Sequence, residues 1–336
     1  MGDDCAVLDV PPGYESLMTT DFSLEGVHFR REWHPPDTVG HRCLTRGLSD
    51  IASMGGEPVA AFLSLALPPN TPQRWVDHFL EGMLHLARKH GVTLAGGDTA
   101  QSPAGILADI TVFGIVPAGR SILRSRARPH DRIYVTGELG ASAALLEHMF
   151  ASGGSKHTPR AYPAHFYPQP QLAVARHLRE NNIASAMIDI SDGLSIDLRH
   201  ICEQSKVGAV IHANAIPVGT LDRHEVELRH ALHGGDEYQL LFTAPQGYRI
   251  PATIAGVPVT LIGYIDEGPE VMIEYESANG PVAVELKPEG WQHFAPTRSK
   301  MPPVEAANKP RSKGASRKAP ARKIAKSIRR KPRSRS

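Results

Sequence analysis

The sequence predicts an α/β (α+β) protein with two domains and a basic C-terminal tail. Its 336 residues are 41% hydrophobic, which is enough to bury about two domain cores. Short apolar runs alternate with helical patterns through most of the chain, as expected for a fold that combines helices and sheets. Residues 297–336 contain little that could be buried, and we predict that this tail is disordered.

The first half of the chain contains three predicted strands and one amphipathic helix. The apolar segments PVAAFLSLALP (58–68) and ADITVFGIVP (108–117) are typical of buried strands. Between them, apolar residues recur at i, i+4 spacing from Thr71-Pro72 to Gly91, which predicts a helix. VTLAGGDT (92–99) is predicted to be a strand that runs into a glycine turn.

The second half of the chain begins after a crossing segment at 121–131. RIYVTGELGASAALLEHMF (132–150) predicts a strand, a glycine turn and a helix, and the composition of residues 151–170 predicts a loop. The remaining predicted elements are a helix at 171–182, a strand that enters IDISDGL (188–194), a helix at 193–205, and strands near 208–212, 238–243 and 258–265.

Charge divides the chain near residue 297. The whole sequence has 37 Lys and Arg and 35 Asp and Glu residues. Fifteen of the basic residues and only one acid lie in 297–336, so this tail carries about +14 and residues 1–296 about −12. A tail of this charge would bind nucleic acid with a strong salt dependence and little sequence preference.

The cysteines and the N-terminal residues predict a cytoplasmic protein. Cys5, Cys43 and Cys202 are odd in number and form no CxxC pair, which disfavours a disulfide framework and a zinc site. Such cysteine usage is typical of a reducing compartment. Because the sequence has no apolar run of about 18 residues and no signal-peptide pattern, we predict neither a membrane span nor export.

Acidic residues recur next to Gly, Ser or Thr, usually where an apolar or helical segment ends. In IDISDGL (188–194), Ser191 or Asp192 could simply cap the helix that follows. Similar arrangements occur in GDDCAVL, LMTTD, HRCLTRGLSD, AGGDT and HGGDEY. Capping does not require an acid each time, so we predict that these carboxylates converge at one end of adjacent strands.

Converging carboxylates need a cation. Two like charges about 4 Å apart cost about 4 kcal/mol at an effective dielectric constant of about 20, so a cluster would exceed a domain's stability margin. An all-oxygen donor set suits Mg²⁺, which combines one or two carboxylates with substrate phosphates. The chain lacks the P-loop and protein-kinase motifs, and TGELGAS (136–142) does not match the dinucleotide pattern GxGxxG. The pattern therefore predicts a site for metal and phosphate of another kind.

An ordered series of motifs resembles the thiamine-monophosphate kinase family, in the aminoimidazole ribonucleotide synthetase superfamily. The motifs are GDDCAVL, TTDFSLEGVHF, LSDIASMGGEP, AGGDT, IDISDGL, GGDEYQLLFT and GWQHF, from residue 2 to about 294. The resemblance implies an N-terminal domain (1–125) that binds ATP and several Mg²⁺ ions and joins its sheet to that of a second copy, and a C-terminal α/β domain (126–296). It also implies direct in-line transfer of the ATP γ-phosphoryl group to thiamine monophosphate.

The same resemblance implies the site residues, without a covalent nucleophile. The implied Mg²⁺ ligands are Asp4, Thr19, Thr20, Asp21, Asp50, Asp98, Asp189 and Asp192. The implied ATP contacts are Gly97, Asp98, Arg124 and Ser191. The implied contacts to thiamine phosphate are His28, Asp236 and Trp291, with the indole stacking on the cationic heterocycle.

The chain departs from the family pattern at several points. GGDEY reverses the usual order of its two acids, which leaves either Asp236 or Glu237 as the substrate contact. YPQPQ (167–171) stands where the family has an arginine-containing segment, and the basic tail has no counterpart. The family pattern includes a helical segment upstream of GDD, so either the start is late or part of the nucleotide cover is missing.

Two other functions remain open from the sequence. One is a degenerate relative that acts at nucleic acid through residues 297–336, although a complete set of metal-binding carboxylates favours an active enzyme. The other is a different ATP-dependent member of the superfamily, although EGVHF and GWQHF favour thiamine. We therefore predict a kinase with an accessory tail.

Overall fold

A four-stranded sheet with two helices on one face forms the first half of the protein. The structure is a computed structural model that describes residues 5–154 and 157–291. The strands are β1 (Tyr14–Leu24), β2 (Glu57–Leu67), β3 (Thr93–Gln101) and β4 (Leu107–Pro117), and the helices are α1 (Pro36–Ser53) and α2 (Gln73–Lys89). The strand order is β1-β4-β2-β3, in which β4 is antiparallel to both neighbours and β3 is parallel to β2.

The two helices of this half pack closely against each other and against the sheet. Trp75, Phe79 and Met83 of α2 are buried at the helical spacing that predicted this element. A Cβ atom at Gly40 of α1 would lie 1.9 Å from the carbonyl oxygen of Phe79, and one at Gly82 of α2 would be equally close to the main chain of α1. Glycine at both positions therefore permits the close helix contact.

A larger, mostly antiparallel sheet forms the second half, in the order β14-β13-β7-β12-β5-β10-β6. Its strands are β5 (Arg132–Thr136), β6 (Ala186–Asp189), β7 (Gly208–His212), β10 (Leu240–Ala244), β12 (Val257–Asp266), β13 (Val271–Tyr275) and β14 (Val282–Glu285), with β11 (Thr253–Ile254) paired to β12. A separate ribbon consists of β8 (Thr220–Leu221) and β9 (His224–Glu225). The helices are α3 (Ala141–Ser152), α4 (Pro163–Phe166), α5 (Leu172–Glu180), α6 (Leu194–Ser205) and α7 (Leu228–His233).

Helix α1 connects the two halves. One apolar cluster lies between the first sheet and α1 and α2, a second lies between the larger sheet and α6, and a third includes residues of α5 together with Ala52 of α1. α1 contacts α2, β1 and β4 on one side and α5 and β6 on the other. Most of its side chains are buried, including polar ones, which must therefore find partners inside the protein.

Most predicted elements are confirmed, and two local predictions were wrong. The predicted strands and helices at 58–68, 71–91, 108–117 and 132–150 correspond to β2, α2, β4, and β5 with α3, and those after residue 171 correspond to α5, β6, α6, β7, β10 and β12. β3 does not turn at its glycines, because Gly97 adopts a φ of 148° that continues the strand. The predicted loop at 151–170 contains the short helix α4. The predicted tail lies outside the described residues.

No helix in the described parts of the chain is long and apolar enough to span a membrane.

Candidate active site

Three carboxylates from distant parts of the chain meet beside α1. Asp21 lies in β1, Asp50 lies near the end of α1, and Asp189 is the last residue of β6. Asp21 shares a side-chain hydrogen bond with Asp50, whose Oδ2 also accepts one from the Thr19 hydroxyl. Ser49 donates its hydroxyl to Oδ2 of Asp189 at 2.7 Å. α1 therefore brings the acid of β1 to the acid of β6.

Burial and mutual repulsion raise the pKa values of this acidic cluster. Burial, followed by the charge of Asp50, raises the pKa of Asp21 to about 7. The same two causes raise the pKa of Asp189 to about 7. Arg46 opposes the shift at Asp21, and Arg124 opposes it at Asp189, without cancelling it. The protein therefore leaves an excess of negative charge here, which a bound cation would neutralise.

The donor chemistry of the cluster fits Mg²⁺, although the carboxylates do not form a ready-made cage. Within residues 5–154 and 157–291, no three His, Cys, Asp or Glu side chains are arranged to hold a metal ion by themselves. Mg²⁺ commonly keeps several water ligands and uses only one or two carboxylates together with substrate phosphates. Asp21, Asp50 and Asp189 can supply oxygen ligands of that kind.

The IDISDGL loop is organised by an acid inside the following helix. Neither Ser191 nor Asp192 caps α6, whose N-cap is Gly193 without a side-chain cap. Instead, Oδ2 of Asp197 accepts hydrogen bonds from the main-chain N–H groups of Ser191, Asp192 and Gly193, at 3.2, 3.2 and 3.1 Å. Burial, followed by the charges of Asp189 and Asp192, raises the pKa of Asp197 to about 8. The loop that follows β6 is thus held by a buried carboxyl group.

A cavity of about 530 Å³ opens beside the acidic cluster. Its lining includes Thr19, Asp50, Arg124, His200 and Gln204. Arg124 belongs to a short 3₁₀ helix and is exposed. A cavity lined by both a guanidinium group and a carboxylate offers one partner for phosphate oxygens and another for their counter-ions.

A second charged group joins α1 to the loop that precedes β10. Arg42 donates from Nη2 to Oδ2 of Asp236 at 2.7 Å, and Arg46 donates from Nη2 to Oδ1 at 2.8 Å. The Tyr238 hydroxyl also donates to Oδ1, at 2.6 Å. Burial alone would raise the pKa of Asp236, but Arg46, Arg42, Tyr238 and the nearby His28 hold it well below its ordinary value. Asp236 is therefore an ionised partner of two arginines.

The two acids of GGDEY occupy different surroundings. Asp236 is partly exposed, whereas Glu237 is buried, and Oε1 of Glu237 accepts a hydrogen bond from the N–H of Gly140 at the start of α3. Burial raises the pKa of Glu237 to about 8. Glu237 therefore fixes the start of α3, and of the two acids Asp236 lies nearer to open space.

Several residues implied by the resemblance lie apart from the acidic cluster. Thr20 follows Thr19 in β1, so its side chain lies on the opposite face of the sheet, where its hydroxyl donates to Asp109 at 2.7 Å. Gly97 and Asp98 are exposed on β3, separated from β1 by β4 and β2. Within one chain, the Thr20 side chain and Asp98 are therefore not part of the group formed by Asp21, Asp50 and Asp189.

The remaining implied residues lie around the same region or outside the described residues. The N–H of Trp291 bonds to the carbonyl of Asp192 at 2.9 Å, which ties the 46%-exposed Trp291 to the IDISDGL loop. His28 accepts a hydrogen bond from the N–H of Leu24 through Nδ1, at 2.9 Å, and lies near Asp236. Asp4 lies outside the described residues.

Sequence reasoning missed the polar residues of α1 and α6 that organise this region. They are Arg42, Arg46 and Ser49 of α1 and Asp197 of α6. One signal was available, because Arg42, Arg46 and Asp50 recur at i, i+4 spacing and therefore share one helix face.

The comparisons with known proteins agree with this architecture. Residues 2–116 match the family model of the AIR synthase related protein N-terminal domain, and residues 128–275 match that of the C-terminal domain. A protein of Escherichia coli K12 named thiamine-monophosphate kinase is 36% identical over 307 residues, which cover 88% of this chain and 91% of the relative.

Two solved structures extend the similarity to the fold. The crystal structure of thiamine-monophosphate kinase from Stenotrophomonas maltophilia K279a has a TM-score of 0.73 and 33% identity, and the match covers 81% of this chain and 89% of that chain. A structure described as AaThiL complexed with AMPPCP and TMP has a TM-score of 0.74 and 30% identity, with 88% and 92% covered. The chain therefore belongs to the thiamine-monophosphate kinase family, among the AIR synthase related proteins.

Proposed function

We propose that this protein transfers the γ-phosphoryl group of ATP directly to the phosphate of thiamine monophosphate, forming thiamine diphosphate. The observation that carries this proposal is the convergence of Asp21, Asp50 and Asp189 beside a cavity that Arg124 also lines. The names of the relatives, and the AaThiL complex with AMPPCP and TMP, support a kinase that uses these two substrates. We further propose that the ATP- and Mg²⁺-binding domain spans 1–125 and the α/β domain 126–296.

In this proposal, the residues of the cleft position two phosphorylated molecules rather than form a covalent intermediate. Asp21, Asp50, Asp189 and Asp192 hold several Mg²⁺ ions, with Asp4, Thr19 and, from a second copy, Asp98 as further ligands, whereas the Thr20 side chain lies on the opposite face of β1 and is not among them. Bound Mg²⁺ neutralises the charge on the phosphate oxygens and so supplies most of the electrostatic stabilisation. Arg124, Ser191 and Gly97 bind ATP, while His28, Asp236 and Trp291 bind thiamine phosphate.

The acidic site fits such a reaction because phosphoryl transfer demands neutralisation and alignment more than a nucleophilic side chain. Asp197 keeps Ser191 and Asp192 in place through three main-chain hydrogen bonds. Arg42 and Arg46 of α1 both pair with Asp236, and these ion pairs hold the part of the cleft proposed to bind thiamine phosphate next to α1. Both supports act by positioning and require no proton transfer from the protein.

We propose that the working form is a homodimer joined through the open face of the first sheet. Tyr14, Met18 and Phe22 of β1 point to this face and are 40%, 76% and 55% exposed. Covering them with the same face of a second copy would remove an apolar patch from water. It would also allow Asp98 of one copy to approach β1 of the other, which explains how Asp98 could serve a site from which it is remote in one chain.

A direct assay tests the proposed function. The purified chain, incubated with ATP, Mg²⁺ and thiamine monophosphate, is expected to form thiamine diphosphate, measured by separation of its thiochrome derivative. Asp50→Asn is the matched control, because it keeps the side-chain shape and removes one charge. ATP with a chiral, isotopically labelled γ-phosphate should give inverted product. Absence of thiamine diphosphate would contradict the activity, and retained configuration would contradict direct transfer.

The charge of the tail supports a second, accessory role. We propose that residues 297–336 bind nucleic acid without sequence preference, because about fourteen net positive charges would release condensed counter-ions from a phosphate backbone. Deleting the chain after Pro296 should abolish salt-sensitive retention on DNA or RNA while leaving turnover unchanged. Retention that survives the deletion would contradict this role. A cytoplasmic location, supported by three free cysteines, stays a prediction.

A further inference from the structure

Helix α1 carries a line of charged side chains between the Asp236 group and the acidic cluster. Arg42, Arg46 and Asp50 are four residues apart and therefore lie on one face, with about 6 Å between neighbours along the helix axis. Arg42 bonds to Asp236 at one end, and Asp50 meets Asp21 at the other. Arg46 lies between the two ends.

The contacts of Arg46 connect both groups of acids. Its Nη2 donates to Oδ1 of Asp236 at 2.8 Å, and its guanidinium lies 5.9 Å from the ring centre of Tyr238. It is also close enough to Asp21 for their charges to influence each other. A guanidinium has five N–H donors, and the described hydrogen bonds of Arg46 use one of them.

Charge balance around Asp236 favours an anion next to Arg46. Two guanidinium groups share the single carboxylate of Asp236, so the acceptor side of the cleft keeps about one positive charge. Asp21 attracts Arg46 from the other side, but the proposed function assigns that carboxylate to Mg²⁺. A phosphate between Asp236 and the acidic cluster would meet this unbalanced charge.

We propose that Arg46 binds the phosphate of the acceptor and thereby selects thiamine monophosphate over thiamine. The inference rests on the proposed function and adds a specificity-determining residue to it. A guanidinium fork matches two phosphate oxygens, and its charge reduces the repulsion between the acceptor phosphate and ATP. Its place one turn before Asp50 sets the acceptor phosphate beside the acidic cluster.

Arg42 provides the matched control, because it has the same chemistry one turn away. Its side chain is only 4% exposed, compared with 12% for Arg46. Its Nη1 donates to the carbonyl of His165 and its Nη2 to Asp236, so its guanidinium holds α4 and the Asp236 loop together. Replacing Arg42 also removes one unit of positive charge from the Asp236 group, but this guanidinium is held by His165 and Asp236, so we expect a smaller loss of preference for thiamine monophosphate than on replacing Arg46.

The experiment compares the affinities of two ligands that differ only in the phosphate. Binding of thiamine monophosphate and of thiamine to the full chain is measured by calorimetry for the native protein, Arg46→Met, Arg46→Lys and Arg42→Met. Arg46→Met should weaken thiamine monophosphate binding about 10- to 100-fold and change thiamine binding by less than about 2-fold. Arg46→Lys should recover part of the loss, and Arg42→Met should reduce the ratio of the two affinities less than Arg46→Met does.

An unchanged ratio in a folded Arg46→Met protein would overturn the inference. Circular dichroism and thermal unfolding establish folding, and if Arg46→Met does not fold, the ratio is measured in Arg46→Gln, which also removes the charge. If the native protein converts thiamine monophosphate, and the Arg46 variants still bind thiamine monophosphate in preference to thiamine as the native protein does, only this inference fails. If the native protein neither converts thiamine monophosphate nor prefers it to thiamine, the proposed function fails as well.

Discussion

Replacing Asp197 with alanine tests whether this buried acid supports the IDISDGL loop. Asp197 is 1% exposed, and its Oδ2 is the acceptor for three main-chain N–H groups. The N–H of buried Gly193 would lose its partner at a cost of about 1–3 kcal/mol, while the half-buried Ser191 and Asp192 could turn to water at a smaller cost. We expect Asp197→Ala to lower the free energy of unfolding by about 2–4 kcal/mol, measured by urea denaturation.

The same variant should affect ATP more than the acceptor. Because Ser191 and Asp192 belong to the proposed ATP and Mg²⁺ side of the cleft, the KM for ATP should rise about 10-fold, and the KM for thiamine monophosphate should rise less, through the hydrogen bond of Trp291 to Asp192. Asp197→Asn is the control, since its amide oxygen still accepts N–H bonds and should cost less than about 1 kcal/mol. A loss below about 0.5 kcal/mol in Asp197→Ala, or an equal rise of both KM values, would refute the reasoning.

Three further predictions follow from the charges around α1. Asp50→Asn removes repulsion from Asp21 and Asp189, so it should raise the free energy of unfolding measured without Mg²⁺ by about 1–2 kcal/mol. The same variant should gain less stability than the native protein when Mg²⁺ is added. A metal-free variant that is less stable than the metal-free native protein would count against this. Arg42→Met should lower the unfolding free energy by about 2–4 kcal/mol, because Asp236 loses a buried partner, and a loss under about 1 kcal/mol would contradict the pairing. Burial lowers the pKa of His41 from 6.5 to about 4, so its contribution to stability is present above pH 6.5 and is lost as the pH falls. The free energy of unfolding should therefore fall by about 2 kcal/mol less in His41→Gln than in the native chain when the pH is lowered from 7.5 to 5. Identical pH profiles of the free energy of unfolding would disprove this.

The acids of the site could be predicted from the sequence better than their partners. Asp21 and Asp50 directly follow a hydroxyl residue, and Asp189 lies two residues before Ser191 in IDISDGL, and these local patterns do not depend on the rest of the fold. The local sequence around Arg46 does not indicate its partner, because Asp236 is 190 residues away. An ion pair between such distant residues is set by how α1 packs against the second half, which no local signal records.

Neighbours in the sequence can also belong to opposite sides of a sheet. Thr19, Thr20 and Asp21 form one motif, but β1 alternates its side chains, so Thr20 points away from the other two. The resemblance to the family grouped the three residues, and this segment was not among the predicted strands. Ser191 and Asp192 show the converse case, because their suitability as helix caps was clear from sequence while the acceptor that replaces them, Asp197, lies inside the helix.

The position of α1 couples the stability of the protein to its proposed chemistry. Its apolar residues join the cores of both halves, so the helix cannot shift without exposing Ala52 and its neighbours. The same rigid element sets the distance from Arg46 to Asp50, and in the proposed function this is the distance from acceptor phosphate to Mg²⁺. The repulsion within the acidic cluster opposes folding until a cation binds, and the packing of α1 offsets it.

Mutations that relax the packing of α1 should therefore raise the Mg²⁺ concentration needed for half-maximal activity, even where no ligand residue changes. Ala52→Gly tests this, because it removes one buried methyl group in α1 without touching a charged residue, and an unchanged Mg²⁺ requirement in this variant would separate packing from metal binding.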